Sequence, residues 1–206
     1  MKQGNSRLKE NVGGGPIYDL GVYCINAARY LFKAEPEEVM AWNAKGDDER
    51  FEEVPASTAA VMRFPGERLA SFICSFGAAD RSAFEIVGSK GIVKLDPAYE
   101  MAGAIKAELV VGGRTSRRTF KKRDQFAPEL IYFSDCILKN REPEPGGREG
   151  LADVRIIQAI LQSADTNRPV AVKQTDIAAR PNLGQEIARP ALSKVPRLVK
   201  ADPPAA

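Results

Sequence analysis

The sequence contains no histidine. That excludes a Ser-His-Asp triad, a Cys-His pair and an imidazole metal cage, and leaves acid–base chemistry to Asp, Glu, Lys, Tyr or Cys. Cysteine is scarce. Cys24, Cys74 and Cys136 are odd in number and far apart, so they form neither a disulfide framework nor a metal-ligand spacing. Buried thiols and no metal site are expected. No apolar run approaches the roughly 20 residues that a bilayer span needs. The opening MKQGNSRLKEN lacks the apolar region of a signal peptide. A soluble, cytoplasmic protein without membrane association is therefore expected. The formal net charge is only +3 over 206 residues, too weak to argue for nucleic acid. A strand–GxGxxG–helix unit is also missing. Gly13, Gly14 and Gly15 follow no apolar strand and lack the later acidic residue of a dinucleotide fingerprint.

What is present is a sequence of periods. GGGPIYDLGVYCINAARYLFKAE reads as a helix, with Pro16 suited to its first position because the missing N–H would be unpaired there. Ile17, Leu20, Cys24, Ala27, Ala28 and Leu31 recur at helical spacing and predict a buried stripe. Pro36 stops the helix. EEVMAWNAK reads as a strand, and TAAVMRF and RLASFICSF as a hairpin about Pro65 and Gly66. SAFEIVGSKGIVKLD repeats the pattern about Gly88–Gly91, and AIKAELVVGGRTSRRTFKK repeats it about Gly112 and Gly113. The period then becomes helical. Phe126, Leu130, Phe133 and Ile137 form one set, and Leu151, Val154, Ile157, Leu161 and Ala164 another. TNRPVAV closes the last helix and starts a short extended segment. The plan is α+β: an open, mainly antiparallel sheet with helices on one face, over residues 1–173. Residues 174–206, rich in proline, read as an extended C-terminal arm.

Two stretches carry possible chemistry. Asp19, Tyr23, Asn26 and Tyr30 are spaced by four, three and four, which puts them on one helix face. Asp19 falls in the first turn, where the helix dipole favours a negative charge. Two readings stand at these residues: an exposed polar face, or a carboxylate that accepts a sugar hydroxyl's hydrogen bond beside a phenol that exchanges a proton. GGRTSRRTFKKRD is basic and reads either as a phosphate patch or as a solvated strand at the sheet margin, which also discourages edge pairing. No aromatic cluster interleaves it, so the second reading is preferred and no nucleic-acid partner is expected.

GGGPIYDLGVYCINAARYL resembles the GGG-x3-D-x-G-x-H motif of the Gfo/Idh/MocA oxidoreductases, and most the glucose–fructose oxidoreductase branch, where tyrosine commonly replaces the histidine. GSKGIVKLDPAYE, DQFAPELIYFSDCILKNREPEP and GLADVRIIQAI are similar to the same branch, so the resemblance covers nearly the whole chain. It implies the second, substrate-binding and oligomer-forming domain of such enzymes. The first domain, a Rossmann unit that binds NAD or NADP and carries a catalytic lysine in a Glu-Lys-Pro segment, has no counterpart here: Glu-Lys-Pro does not occur. By resemblance Asp19 and Tyr23 are the catalytic pair, and Asn26, Tyr30, Gly14 and Gly15 contact substrate. Tyr23 would take a sugar or polyol hydroxyl's proton, helped by the lysine of a Rossmann domain, Asp19 would orient the substrate, and hydride would pass to the nicotinamide. No cofactor binding and no turnover are expected of this chain alone, and a separate Rossmann chain is a possible partner. A non-catalytic assembly module that keeps the fold is the alternative. A homodimer or tetramer through the open sheet face is expected in either case.

Overall fold

The computed structural model describes residues 4–101, 103–177 and 180–191. In chain order the elements are α1 (Val22–Phe32), β1 (Glu38–Ala44), β2 (Ser57–Phe64), β3 (Arg68–Ser75), β4 (Phe84–Gly88), β5 (Gly91–Leu95), β6 (Ile105–Val111), β7 (Arg114–Phe120), α2 (Phe126–Leu138), α3 (Gly147–Thr166) and β8 (Val170–Ala171). The class is α+β, as the order of periods predicts. The strands divide between two four-stranded antiparallel sheets, ordered β3-β2-β1-β8 and β4-β5-β6-β7. Each sheet belongs to its own compact unit. The first unit comprises residues up to 78 together with 144–181, and the second comprises 79–143 with the described residues from 182 onward.

In the first unit the strands alternate as a half-buried sheet must. Val39 and Ala41 of β1 and Ala60, Met62 and Phe64 of β2 are buried. They pack with Ile25 of α1 and with Ile156, Ile157 and Ile160 of α3. The backbone N–H of Ala41 donates to Ser163 Oγ at 3.0 Å, and that hydroxyl donates to the Arg168 carbonyl at 2.7 Å. This bond fixes α3 against β1. The opposite face carries Trp42, Val61, Leu69 and Ile73, all exposed. On β3 the inward residues are Ala70, Phe72 and Cys74 and the outward ones Leu69, Ser71 and Ile73. Burial pushes the Cys74 thiol up to about 12.

The expected stripe on the first helix is displaced. Leu20 and Leu31 are exposed, while Gly21, Ile25 and Arg29 are buried, with Ala28 and Phe32 packed beside them. The cause is a π-helical turn over Ile17–Gly21, in which the Val22 N–H donates to the Ile17 carbonyl. A π turn takes one residue more than an α turn. It therefore moves the expected positions 20, 24, 27 and 31 on by one, to 21, 25, 28 and 32, while Ile17 and Ala28, also expected, do join the core. Of the stripe expected on α3, Ile157 is buried and Leu161 and Ala164 pack against the core, but its N-terminal part is misplaced. Leu151 and Val154 are exposed, and the buried set is Glu149, Ala152, Ile156, Ile157, Ala159, Ile160 and Ser163. Three small residues, Ala152, Ala159 and Ser163, and one carboxylate, Glu149, share the inner face with Ile156, Ile157 and Ile160, and a count of large apolar positions misses those four.

In the second unit, two hairpins form where the Gly88–Gly91 and Gly112–Gly113 turns predict them. β7 is an edge strand, and every residue of it is exposed. Its Arg117 pairs across the ladder with Glu108 at 2.8 Å and Arg118 stacks over Phe120, a solvated basic margin. Asp124 Oδ1 accepts from the Phe126 and Ala127 N–H groups at 3.0 and 3.1 Å, which opens α2. The set Phe126, Leu130, Phe133 and Ile137 is helical but exposed. Of the proline-rich segment, the described residues hold a 3-10 turn at Leu183–Gln185, capped by Asn182, and an isolated bridge from Pro190 to Arg123. The remainder of that expected arm lies outside the described residues.

Candidate active site

Three glycines open the first helix for reasons the backbone makes plain. The Gly14 and Gly15 N–H groups donate to the Lys9 and Arg7 carbonyls at 2.9 and 2.8 Å. A Cβ on Gly14 would lie 2.6 and 2.7 Å from those two carbonyl oxygens, closer than any side chain tolerates. Gly15 has φ 106°, a conformation that L side chains rarely adopt. Gly14 and Gly15, expected as substrate contacts, thus have a demonstrable role in folding the chain back on itself. The segment they hold is a pair of 3-10 turns, Ser6–Leu8 and Glu10–Val12.

That fold-back brings a residue to Asp19 that sequence reasoning missed. Arg7 Nε donates to Asp19 Oδ1 at 2.9 Å. The two side chains are 54% and 32% exposed, so the pair is solvated and adds little stability. Asp19 lies within the π turn, and Tyr23 lies in the first turn of α1 with 51% of its surface exposed. Both expected catalytic groups therefore stand at the accessible start of the helix. Nothing in the spacing of the sequence pairs residue 7 with residue 19. The signal was the glycine run itself, which marks a close backbone approach without saying to what.

Further along α1 the face changes character. Asn26 Nδ2 donates to Asp153 Oδ2 on α3 at 3.2 Å. Tyr30 is half-buried beneath the Arg180 guanidinium, 5.7 Å from its ring centre. Burial, then the charges of Glu149 and Glu144, push the Tyr30 phenol up to about 12. It is a donor at neutral pH and not a base. Asp19 and Tyr23 thus keep the open end of the face, while Asn26 and Tyr30 are tied into a polar cluster beneath it.

The centre of that cluster is Arg29, 0% exposed. Its Nε and Nη2 reach both Glu35 oxygens at 2.6 and 3.0 Å, its Nη1 reaches Asp153 Oδ1 at 2.7 Å, and Nη2 also reaches Glu149 Oε2 at 2.9 Å. Arg180 adds a bond to Glu35 at 2.5 Å. Burial disfavours the Arg29 charge, but the Glu35 hydrogen bond and the Asp153 and Glu35 charges outweigh it and hold the guanidinium above its ordinary range. Asp153 moves against its ion pair: burial raises its carboxyl by more than Arg29 and Asn26 lower it. An amphipathic reading puts arginine at the surface, so the cluster was not legible.

Among the described residues no group of three or more Cys, Asp and Glu side chains could hold a metal ion. The glycine turn does not fit a dinucleotide either. The space a pyrophosphate would need at Gly14 is filled by the chain's own carbonyls, and Asp19 puts a negative charge at the helix start.

An α+β fold whose glycine turn leads into an exposed Asp–Tyr helix start defines a class. Residues 1–94 match the model of the GFO/IDH/MocA C-terminal domain. The chain is 31% identical over 159 residues to D-xylose 1-dehydrogenase (NADP(+)) of Haloarcula marismortui, covering 77% of this chain and 44% of that protein. It is 25% identical to trans-1,2-dihydrobenzene-1,2-diol dehydrogenase of Xenopus laevis, covering 76% and 48%. The crystal structure of aldose-aldose oxidoreductase from Caulobacter crescentus, complexed with glycerol, superposes with a TM-score of 0.76 at 33% identity, covering 84% of this chain and 52% of that one. The chain belongs to the GFO/IDH/MocA family. It spans about half the length of the curated relatives it matches.

Proposed function

We propose that this chain is the substrate-binding and oligomer-forming half of an NAD(P)-dependent sugar or polyol oxidoreductase. The observation that carries the reading is the placement of a half-buried carboxylate and an exposed phenol, Asp19 and Tyr23, four residues apart at a helix start that three glycines and the Arg7 turn shape. Tyr23 takes the proton of the reacting hydroxyl and Asp19 accepts a hydrogen bond that orients the substrate. Asn26 and Tyr30 form the polar wall behind them, and Gly14 and Gly15 set the turn. The relatives support the class: a D-xylose 1-dehydrogenase, a trans-1,2-dihydrobenzene-1,2-diol dehydrogenase and an aldose-aldose oxidoreductase. NADP or NAD is held by another domain, in the same polypeptide or a separate one, because this chain's glycine turn opens onto its own backbone. By itself the chain neither binds the nucleotide nor turns over.

The oligomer rests on the outer face of the first sheet. Leu69 and Ile73 are 65% and 75% exposed there, beside Trp42 and Val61. Apolar patches of a few hundred Å² usually mark an interface, and an isologous pair covers the same patch twice. A homodimer or a tetramer is proposed on this face, with cytoplasmic location, where thiols stay reduced.

The test supplies the chain with a nucleotide-binding domain, in cis or in trans, and follows NADP reduction with D-xylose and D-glucose. Tyr23→Phe should slow turnover by roughly 100-fold, the scale of acid–base catalysis. Unchanged turnover removes Tyr23 from the mechanism. Oligomerisation without any sugar oxidation under those conditions would favour a non-catalytic assembly module. Micromolar NADPH binding by the chain alone would overturn the division of labour.

A further inference from the structure

Arg7 and Asp19 meet through one nitrogen and one oxygen. Nε and Oδ1 are engaged, while Oδ2 and the two terminal nitrogens have no partner among the described residues. The backbone around Arg7 is held on both sides. Asn5 Oδ1 accepts its N–H at 2.9 Å, and its carbonyl accepts the Gly15 N–H at 2.8 Å. The missing side chain at Gly14 is what lets this strand pass. An ion pair so exposed contributes little to stability. The construction around it therefore points to a ligand.

A carboxylate only accepts hydrogen bonds and a guanidinium only donates them. Side by side they present an acceptor, Asp19 Oδ2, next to a fork of donors, the Arg7 terminal nitrogens. Two hydroxyls on adjacent carbons match this pattern, because one can donate while its neighbour accepts. A lone alcohol must serve both groups from one oxygen, whereas a diol gives each charged group a hydroxyl of its own. We infer that Arg7 and Asp19 form a clamp for a vicinal diol, so that Arg7 is a specificity-determining residue that selects polyhydroxylated substrates over simple alcohols. The inference rests on the oxidoreductase reading and deepens it: Tyr23, four residues beyond Asp19, would act on a substrate held by this clamp.

The experiment is a nuclear magnetic resonance titration of the 206-residue protein, following the Arg7 side-chain N–H and the Asp19 amide. The probes are trans-1,2-cyclohexanediol, cyclohexanol and D-xylose. The diol and the sugar should move both signals saturably, and cyclohexanol should bind at least about tenfold more weakly, the scale of one charge-assisted bond. Arg7→Lys keeps a charge opposite Asp19 but loses the fork. It should fold with an unchanged melting temperature and weaken diol binding by about tenfold. Equal binding of cyclohexanol and the diol overturns the clamp. So does xylose binding that leaves the Arg7 signal still and survives Arg7→Lys, an outcome that spares the oxidoreductase reading. No binding of xylose or diol up to about 0.1 M, well above the usual KM range, overturns both.

Discussion

Replacing Arg29 with methionine removes the one cation that touches three buried carboxylates. Glu35, Glu149 and Asp153 have side chains only 11%, 6% and 13% exposed. With Arg29 and Arg180 present, two positive charges face three negative ones. Without Arg29, one faces three. Removing one partner of a buried pair costs about 3–5 kcal/mol, because the charge left behind has lost both water and its counterion. Here three carboxylates lose a partner at once, so the upper end of that range is expected. Against a total stability of about 5–15 kcal/mol, Arg29→Met should lower the melting temperature at neutral pH by about 10 °C or more. Acidification should narrow the gap. Without the guanidinium, burial and mutual repulsion hold the carboxyls above their ordinary range in the native state. Between the unfolded and the native pKa values the native protein then binds more protons than the unfolded chain, so stability rises as pH falls. Chemical denaturation at neutral pH and at about pH 5 reads both effects. A variant within about 1 kcal/mol of the wild type at neutral pH would refute the reasoning, as would a deficit that does not shrink in acid.

Gly14→Ala should destabilise the protein by at least about 2 kcal/mol, since its Cβ meets backbone oxygens at 2.6 and 2.7 Å that cannot rotate away; thermal melting checks this, and a neutral effect would show that the turn can move. Ile73→Glu should turn an oligomer into monomers without loss of fold, whereas Phe72→Glu should unfold the chain, because Phe72 packs inward; light scattering and circular dichroism distinguish them. Tyr30 should ionise near pH 12, above the ordinary tyrosine value, and ultraviolet titration of wild type against Tyr30→Phe identifies it. Because its native pKa is raised, the native state keeps a proton that the unfolded chain gives up, and this contribution to stability falls as pH climbs above the ordinary tyrosine value of about 10.

The hairpins were legible because glycine pairs at 88–91 and 112–113, and Pro65–Gly66, punctuate strands whose alternation is local information. The class of fold followed from them. The division into two sheets was not legible, since no local signal says which edges remain unpaired. The helix face failed for a nameable reason: helical counting assumes 3.6 residues per turn, and the π turn at Ile17–Gly21 breaks that count. Asp19 and Tyr23 were found as types and positions. Their surroundings were not, because Arg7 reaches Asp19 across 12 residues of chain and Arg29, in the cluster beneath, reaches Glu149 and Asp153 across 120 and 124, and charged residues carry no periodic mark of burial.

The first unit is discontinuous, and this bears on how the protein is made. As the chain leaves the ribosome, α1 and β1–β3 appear before α3, so Ala41, Met62 and Phe64 have only the α1 side of their cover, Ile25 among it. The rest of the cover, Ile156, Ile157 and Ile160 of α3, follows only after residues 79–143 have been synthesised. Until then Arg29 has Glu35 as its sole nearby counterion, six residues away, with Glu149 and Asp153 still to come. A nascent chain halted near residue 94, the limit of the family-model match, would therefore hold a half-covered apolar sheet and remain a client for chaperones. The family-model match thus ends before the second segment of the first unit, and with it the helix that completes the cover of its sheet, has been made.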